Sequence, residues 1–329
     1  MARPDPLHTI CADVGGTNTR VAFADGPIVR QETIRRFRNA DHSGIEDVLR
    51  RFLAESASTR PPEAACVAIA GPVRDGLGQL TNLNWSIDRE ALSGATGATT
   101  AAILNDLQAQ GHSLAHLDES ACETVIPAPA PAAHAACLVV GVGTGFNIAP
   151  VFHQEDMTLV PPAEAGHASL PVRDARDLRL SETLARAHGF PAVEEALSGR
   201  GVEHLYAFAC AEADQTKSKT AAEIMASCKA GDDPEARESV KHFVTLLGTV
   251  CGNLALNQLP FGGVFLVGGV TRAMQPYFAE FGFAEAFRDK GRFSGFMENF
   301  GVHVVTDDYA ALTGCAAHMQ ELLKARATL

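Results

Sequence analysis

The sequence HTICADVGGTNTRVAF, residues 8–23, joins two apolar runs through a turn of small and polar residues. The first run ends near Asp13, and the second begins after two glycines, a threonine and an asparagine. Short apolar runs separated by turn residues are typical of consecutive strands. A third run, PIVRQETIRRF, follows at residues 27–37. The chain is therefore expected to open with three antiparallel strands.

Two interpretations of the first turn are open. Its glycines can supply the positive φ angles that a hairpin requires. They can also leave the backbone bare, so that successive N–H groups form a nest for an anion. The donors would then be Gly15, Gly16, Thr17, Asn18 and Arg20. The carboxylate of Asp13 would repel a phosphate unless a Mg²⁺ ion lay between them, because that cation prefers oxygen ligands.

Composition indicates an ordinary globular protein. The chain has 329 residues, 46% hydrophobic and 20% charged, which suggests about two domains. Lys plus Arg total 27 and Asp plus Glu total 39, giving a net charge of −12 that disfavours nucleic acid and anionic membranes as partners. The eight cysteines lack CxxC spacing and no apolar run resembles a signal or membrane segment. These features predict a reducing, cytoplasmic location.

The distribution of lysine restricts how a phosphate could be bound. The first lysine is Lys217, so a phosphate site in the preceding 216 residues must use backbone N–H groups, hydroxyls, arginine or a metal. A Walker-type P-loop requires GxxxxGK[ST], which is absent from the sequence.

The rest of the chain alternates strand and helix patterns. SGIEDVLRRFLAES has helical periodicity with Ser43 as the expected N-cap. PAPAPAAHAA, residues 127–136, is expected to be an exposed connection between domains. Apolar residues recur with helical spacing at positions 240–254, and a final helix follows Asp307 or Asp308 as its cap. The order of elements indicates an α/β protein.

A second glycine turn, GVGTG at residues 141–145, follows the strand-like run CLVV. VGTG resembles the VGGT of the first turn, so the two could mark an internal duplication or could match by chance. Its candidate phosphate donors are Gly143, Thr144 and Gly145. Two such nests could hold two ends of a polyphosphate. Gly268 and Gly269 end another apolar run, where they could contact a nucleoside or could serve close packing of helix on strand.

Polar residues at strand ends and in loops are further candidates. Asn105 and Asp106 stand where a strand pattern meets a helix pattern, and ligands in α/β sheets bind beyond such ends. A carboxylate there could act as a general base, or either residue could simply cap the helix. Glu164 and His167 could bind hydroxyl groups or be solvated loop residues. Glu194 is by default a surface charge.

Taken together, these stretches resemble the bacterial glucokinase family of the hexokinase and actin-like superfamily. The resemblance is carried in order by DVGGTNTR, AIAGPV, LTNLNW, ILND, GVGTG, AEAGH, ALSGRG, GNLALN, GGVFLVGGV and GFAEAFRDKGRF. It implies a two-domain α/β fold, actin-like or ribonuclease H-like, with a central cleft. The expected domains are a small one of residues 1–116 plus 307–329 and a large one of residues 117–306.

The resemblance also implies a reaction and roles for residues. The reaction is ATP-dependent phosphorylation of glucose to glucose 6-phosphate, the first step of glycolysis, with Mg²⁺ as a cofactor. Asp106 would be the catalytic base, and the other sugar ligands would be Asn105, Glu164, His167 and Glu194. The two glycine turns would bind phosphates, Gly268 and Gly269 the adenosine side, and Asp13 the Mg²⁺. A homodimer is expected by analogy with the family.

Three motifs depart from the family pattern. Asn147 stands where a small residue is usual, Arg200 replaces a proline, and AEAG replaces GEGG around Glu164. These departures leave open a kinase of another hexose, such as fructose, mannose or an amino sugar. They also leave open ADP or polyphosphate as donor. A sugar-sensing regulator or a non-catalytic scaffold of the same fold are alternatives from other classes.

Overall fold

The computed structural model describes residues 6–56, 60–80, 83–154 and 157–328. Residues 81 and 82 of the LTNLNW motif and the first five residues lie outside this part. The chain divides into two compact units: unit 1 is Met1–Glu119, His153–Pro162 and Asp307–Leu329, and unit 2 is Ser120–Phe152 and Ala163–Thr306. This division differs from the predicted domains mainly by assigning residues 153–162 to unit 1.

The strands are β1 (His8–Val14), β2 (Asn18–Asp25), β3 (Ile28–Val29), β4 (Arg35–Arg38), β5 (Ala64–Ile69), β6 (Val73–Arg74), β7 (Leu77–Gln79), β8 (Ser86–Asp88), β9 (Thr100–Asn105), β10 (Cys122–Ile126), β11 (Cys137–Val142), β12 (Phe146–Gln154), β13 (Met157–Leu159), β14 (Gly263–Val267) and β15 (Val302–Val305).

The helices are α1 (Ile45–Glu55), α2 (Arg89–Thr96), α3 (Asp106–Ser113), α4 (Ala175–His188), α5 (Val193–Ala196), α6 (Gly199–Glu212), α7 (Ala221–Ala230), α8 (Pro234–Gln258), α9 (Gly269–Met274), α10 (Phe283–Arg288) and α11 (Ala310–Thr328). None of these helices is both long and apolar enough to cross a membrane.

The main sheet of unit 1 has the order β3-β2-β1-β5-β9, with β4 paired to β2. Strands β1 to β3 are antiparallel, which confirms the predicted opening, although the third apolar run is divided between β3 and β4. β1, β5 and β9 are parallel, with Val14 beside Ile69 and Ile69 beside Asn105. The carboxyl ends of these three strands are therefore level at one edge of the sheet.

Both faces of this sheet are covered, so β1 is buried along nearly its whole length, including the polar residues His8 and Thr9. Ile10, on one face, packs with Phe23 and with Phe52 of α1. Cys11, on the other face, packs with Leu312 and other residues of α11. Helix α11 thus packs on the first sheet, as the resemblance implies. All eight cysteines are free thiols, and six are buried.

Helix α1 begins one residue later than the sequence suggests. Its N-cap is Gly44, so the prediction of Ser43 as N-cap is wrong. The backbone N–H of Ser43 instead donates to Oδ2 of Asp47 in the first turn, and His42 Nδ1 contacts the same oxygen at 3.2 Å. The carboxylate organises the helix start, and the serine hydroxyl makes no capping bond.

The sheet of unit 2 includes β10-β15-β14-β11-β12 in that order. β11 pairs antiparallel with β12 and parallel with β14, with Gly141 beside Val267. The second glycine turn and Gly268 therefore follow neighbouring strands at the same edge. Residues 127–136 are mostly exposed but connect β10 to β11 inside unit 2. The prediction that they link two domains is wrong.

Helix α8 confirms the predicted apolar periodicity and forms the centre of unit 2. Asp233 caps it by accepting from the N–H groups of residues 235 and 236, and Pro234 occupies its first turn. Val240, Phe243 and Leu247 are fully buried on it. A Cβ at Gly248 would lie 2.5 Å from the carbonyl oxygen of Phe283, so this glycine permits close packing of α10 on α8.

We predict opposite effects of two alanine substitutions in unit 1. A Cβ at Gly314 of α11 would lie 1.7 Å from the carbonyl oxygen of Ala109 in α3, whereas one at Gly94 of α2 meets nothing within 4 Å. Gly314→Ala should lower the free energy of unfolding by at least about 1–3 kcal/mol through overpacking. Gly94→Ala should raise it by about 0.5–1 kcal/mol. Urea titration measures both, and equal stability of the two variants would contradict this packing.

Candidate active site

Asn39 fixes the first glycine turn through hydrogen bonds. The sequence analysis did not identify this residue. The Asn39 side chain donates to the Gly15 carbonyl oxygen at 2.7 Å, and its backbone N–H donates to that of Thr17 at 2.9 Å. Its Oδ1 accepts from the Thr19 hydroxyl at 2.9 Å. Asn39 is buried. These bonds fix the turn while Gly16 and Thr17 remain exposed.

The conformation of the turn does not require a glycine at position 15. Gly15 lies outside the left-handed region, and an added Cβ would make only an ordinary contact, 3.4 Å from the Asn18 carbonyl oxygen. The positive φ angle that the hairpin interpretation requires is therefore absent at this residue. The Gly15 N–H donates across the turn to the same oxygen at 3.0 Å.

Asp13 faces Arg20 across the β1–β2 pair. The Arg20 Nη1 donates to Oδ2 of Asp13 at 2.9 Å. Burial raises the pKa of the Asp13 carboxyl, and the guanidinium partly opposes that rise. Arg20, considered as a further donor of the turn, is thus engaged with Asp13. The Oδ1 atom is not used by this ion pair.

The sequence left open whether Asn105 or Asp106 caps helix α3, and the structure answers this question. The Asn105 side chain caps α3 by accepting from the Gln108 N–H at 2.6 Å, and the Gln108 side chain accepts from the Asn105 N–H at 3.1 Å. The cap is therefore Asn105. Asp106 is the first residue of α3, and its Oδ1 accepts from the Leu107 N–H at 2.9 Å. Both residues lie at the sheet edge that carries the first turn.

The second glycine turn meets the beginning of α6. Gly143 donates to the Gly145 carbonyl oxygen at 2.9 Å and accepts from the Gly199 N–H at 2.9 Å. Ser198 caps α6 by accepting from the Gly201 N–H at 3.1 Å. A Cβ at Gly143 would meet nothing within 4 Å, and its φ is not left-handed. Neither packing nor backbone conformation requires glycine there, and Thr144 beside it is exposed.

Gly268 and Gly269 follow β14 and begin α9. At Gly268 the fold does require glycine, because φ is +106° and a Cβ would lie 2.3 Å from the Val142 carbonyl oxygen. The packing alternative is correct for this residue. Gly269 differs, since a Cβ there would meet nothing within 4 Å.

Glu194 lies on α5 against the second turn. Its Oε2 accepts from the Phe146 N–H at 3.0 Å, and its Oε1 accepts from Arg200 Nη2 at 3.2 Å. A Cβ at Gly145 would lie 2.4 Å from Oε2 of Glu194. The default interpretation of Glu194 as a surface charge is therefore wrong, because its carboxylate packs against Gly145 and accepts a hydrogen bond from Phe146. Arg200, one of the departures from the family pattern, is its charged partner.

Asn147 organises the loop that carries Glu164 and His167. Its Nδ2 donates to the Ala163 carbonyl oxygen at 2.5 Å and to Oε2 of Glu164 at 3.3 Å. Its Oδ1 accepts from the Ala165 N–H at 3.0 Å. Asn147 thus contacts the loop that the resemblance assigns to the sugar. Glu164 and His167 are both exposed at the ends of one short turn.

Gly166 brings this loop close to Glu194. A Cβ at Gly166 would lie 2.0 Å from the Phe146 carbonyl oxygen and 3.4 Å from Cβ of Glu194. The bond from the Val193 N–H to the Ala168 carbonyl oxygen, at 2.9 Å, joins the loop to α5. Unit 2 therefore places Glu164, His167 and Glu194 in one region beside the second turn. Unit 1 places Asn105 and Asp106 at the same edge of its main sheet as the first turn.

The sequence profile of glucokinases matches residues 10–322 of the chain. The chain belongs to the glucokinase family. It is 32% identical to a glucokinase of Chromobacterium violaceum over 98% of this chain and 92% of the relative. It is 33% identical to one of Sinorhizobium fredii over 94% of this chain and 91% of the relative.

A crystal structure of a glucokinase from an Antarctic psychrotroph superimposes on the chain with a TM-score of 0.86. The two are 29% identical, and the match covers 96% of this chain and 98% of the other. This likeness confirms the predicted fold class, an α/β sugar kinase of the actin-like type. The alternative of a scaffold without catalytic function is not supported, because glucokinases are enzymes.

We predict that alanine is tolerated at Gly143 but not at Gly145. The Cβ of Gly145→Ala must displace the Glu194 carboxylate, which then loses its hydrogen bond from the Phe146 N–H. This substitution should lower the free energy of unfolding by about 1–3 kcal/mol. Gly143→Ala should stay within about 0.5 kcal/mol of the unsubstituted protein. A loss of 1 kcal/mol lowers the thermal midpoint by roughly 2–4 °C in a folding unit of about 150–250 residues. Scanning fluorimetry compares the variants, and the reverse order would disprove the geometry described for this turn.

Proposed function

We propose that the chain transfers the γ-phosphoryl group of ATP to the 6-hydroxyl of glucose, with Asp106 as general base. Membership of the glucokinase family supports the reaction class. The observation that carries the base assignment is the division of roles at the start of α3. Because Asn105 provides the cap, the Asp106 carboxylate is not needed for it.

The sugar ligands on unit 2 are assigned to Glu164, His167 and Glu194. A carboxylate has lone pairs for about four hydrogen bonds, so Glu194 can accept from sugar hydroxyls while it holds Phe146 and Arg200. The bonds of Asn147 to the Glu164 loop support this assignment, because a fixed loop pays less ordering entropy when a sugar binds. Asn105 can donate through its amide nitrogen.

The nucleotide ligands are assigned to the bare backbone of the two turns and to Gly268 and Gly269. Gly15, Gly143 and Gly269 have room for a Cβ in this fold, so packing does not account for glycine at these positions. Close approach of a ligand to the N–H groups does account for it. The exposed side chains of the turns, including Thr17 and Thr144, add hydroxyl donors, and Asn18 completes the first turn.

The residues present fit a Mg²⁺ ion at Asp13, as part of the same proposal. Asp13 presents an oxygen, Oδ1, beyond the one paired with Arg20, at the edge of the sheet that carries the first turn. Bound Mg²⁺ neutralises charge on the phosphates during transfer. Burial raises the pKa of Asp13, and a cation bound beside the carboxylate would oppose that rise by stabilising the ionised form.

Catalysis in this proposal comes mainly from positioning and from one proton transfer. Phosphoryl transfer passes through a loose transition state, so the protein has little covalent chemistry to perform. Asp106 would accept the proton of the 6-hydroxyl as that oxygen bonds to the γ-phosphorus and the bond from this phosphorus to ADP breaks, releasing ADP. General bases of this kind contribute about 10²–10⁴-fold to the rate. The cytoplasmic location stays a prediction from the sequence, and the homodimer stays a prediction by analogy with the family.

The proposal predicts that Asp106→Asn separates binding from turnover. The amide keeps the shape and a hydrogen bond to the sugar but cannot accept the proton, so kcat should fall about 10²–10⁴-fold. The Kd of glucose, measured by calorimetry, should change little. Asp214→Asn is the matched control, because Asp214 is exposed in unit 2 and should leave both quantities unchanged. A near-normal kcat in Asp106→Asn would overturn the assignment of the base.

A further inference from the structure

Two histidines and a glutamate of unit 2 converge where three helices meet. His188 is the last residue of α4, Glu195 lies in α5, and His204 lies in the second turn of α6. One ligand atom from each side chain lies within 4.8 Å of the other two. The two imidazole rings are 4.5 Å apart between centroids. None of the three has a role in the proposed reaction.

One oxygen of the Glu195 carboxylate faces an arginine, and the other accepts no hydrogen bond from any described residue. Oε1 lies 3.9 Å from Arg200 Nη2. Oε2 is buried, and within the described part of the chain no hydrogen-bond donor reaches it. The side chain as a whole is 17% exposed. A buried carboxylate oxygen without a partner is costly, and a cation beside it removes the cost.

Both histidines face this oxygen at distances suited to a shared metal ion. Nδ1 of His188 lies 3.8 Å and Nδ1 of His204 lies 3.6 Å from Oε2 of Glu195. These separations are too long for hydrogen bonds. Zinc binds nitrogen and oxygen ligands at about 2.0–2.2 Å, so tetrahedral ligand atoms are roughly 3.4 Å apart. The two nitrogen–oxygen separations therefore exceed the tetrahedral value by only a few tenths of an ångström.

We propose that His188, Glu195 and His204 form a binding site for a divalent transition-metal ion such as Zn²⁺. Two imidazoles and one carboxylate are a donor set that zinc accepts, with water in the fourth position. His188 and His204 also line a surface cavity of about 540 Å³ between α4 and α6, which gives the ion and its water a path from solvent.

A metal ion at this site would compete with a hydrogen bond of His204 and would be repelled by nearby arginine side chains. Nδ1 of His204 is 2.8 Å from the Glu195 carbonyl oxygen, to which it donates in the absence of metal. That ring must release the hydrogen bond or bind through its other nitrogen. The cationic groups around the cluster include Arg200, whose Nη2 lies 3.9 Å from Oε1, and Arg179 and Arg186, which line the same cavity as the two histidines. The bound ion would join the ends of α4, α5 and α6.

Calorimetric titration of the full-length, tag-free chain with ZnCl₂, after EDTA treatment and its removal, tests the site. We expect one zinc ion per chain and a thermal midpoint that rises with zinc concentration above the Kd. Co²⁺ in place of zinc should give visible absorption without the near-ultraviolet band of thiolate ligands. Zinc binding that is absent, or a thiolate band with cobalt, would overturn the proposal.

Matched variants separate this site from incidental zinc binding. Glu195→Gln and His188→Ala should weaken zinc binding by roughly 10- to 100-fold or more. Glu182→Gln removes the same charge from the rim of the same cavity, and His116→Ala removes an exposed imidazole elsewhere; both should bind zinc normally. Thermal unfolding without metal verifies that each variant is folded. Equal zinc affinity across all four variants would overturn the proposal.

Discussion

The hydrogen bond from the Phe146 N–H to the Glu194 carboxylate is the interaction on which the candidate site of unit 2 depends. It joins the hairpin that carries the second glycine turn to α5. Gly145 must lack a side chain for the carboxylate to approach. The next residue, Asn147, fixes the loop of Glu164 and His167. One backbone donor thus sets the positions of residues assigned to phosphate and to sugar.

The glycines of the motifs serve two different purposes. Gly145, Gly166 and Gly268 are required by the fold, because a Cβ at any of them would collide with a neighbouring backbone or carboxylate atom. Gly15, Gly143 and Gly269 meet no such obstacle. We propose that glycine at these three positions lets a ligand approach the backbone N–H groups closely. This distinction needs coordinates, because the sequence shows both kinds as the same letter.

The sequence predicts much of the fold but few of the supporting contacts. The strands near Asp13, the periodicity of α8 and the polar residues at the end of β9 follow from short-range patterns. The contacts of Asn39 and Asn147 could not be predicted, because each side chain bonds to residues 16 to 24 positions away. The error at residues 127–136 also reflects distant contacts, because the order of strands in the sheet places both of their neighbouring strands in unit 2. The error at Ser43 is local, because the side chain of Asp47, four residues later, accepts from the Ser43 N–H. Local propensity predicts a cap or a linker, whereas a side-chain bond or the sheet order determines the outcome.

Steady-state measurement of kcat/KM over a panel of hexoses and phosphoryl donors tests the central claim most directly. The panel contains glucose, fructose, mannose and an amino sugar, each with ATP, ADP or polyphosphate in the presence of Mg²⁺. Glucose with ATP should give the highest kcat/KM, with glucose 6-phosphate as the product. A higher value for another hexose or another donor would contradict the account, as would the absence of phosphoryl transfer to every sugar.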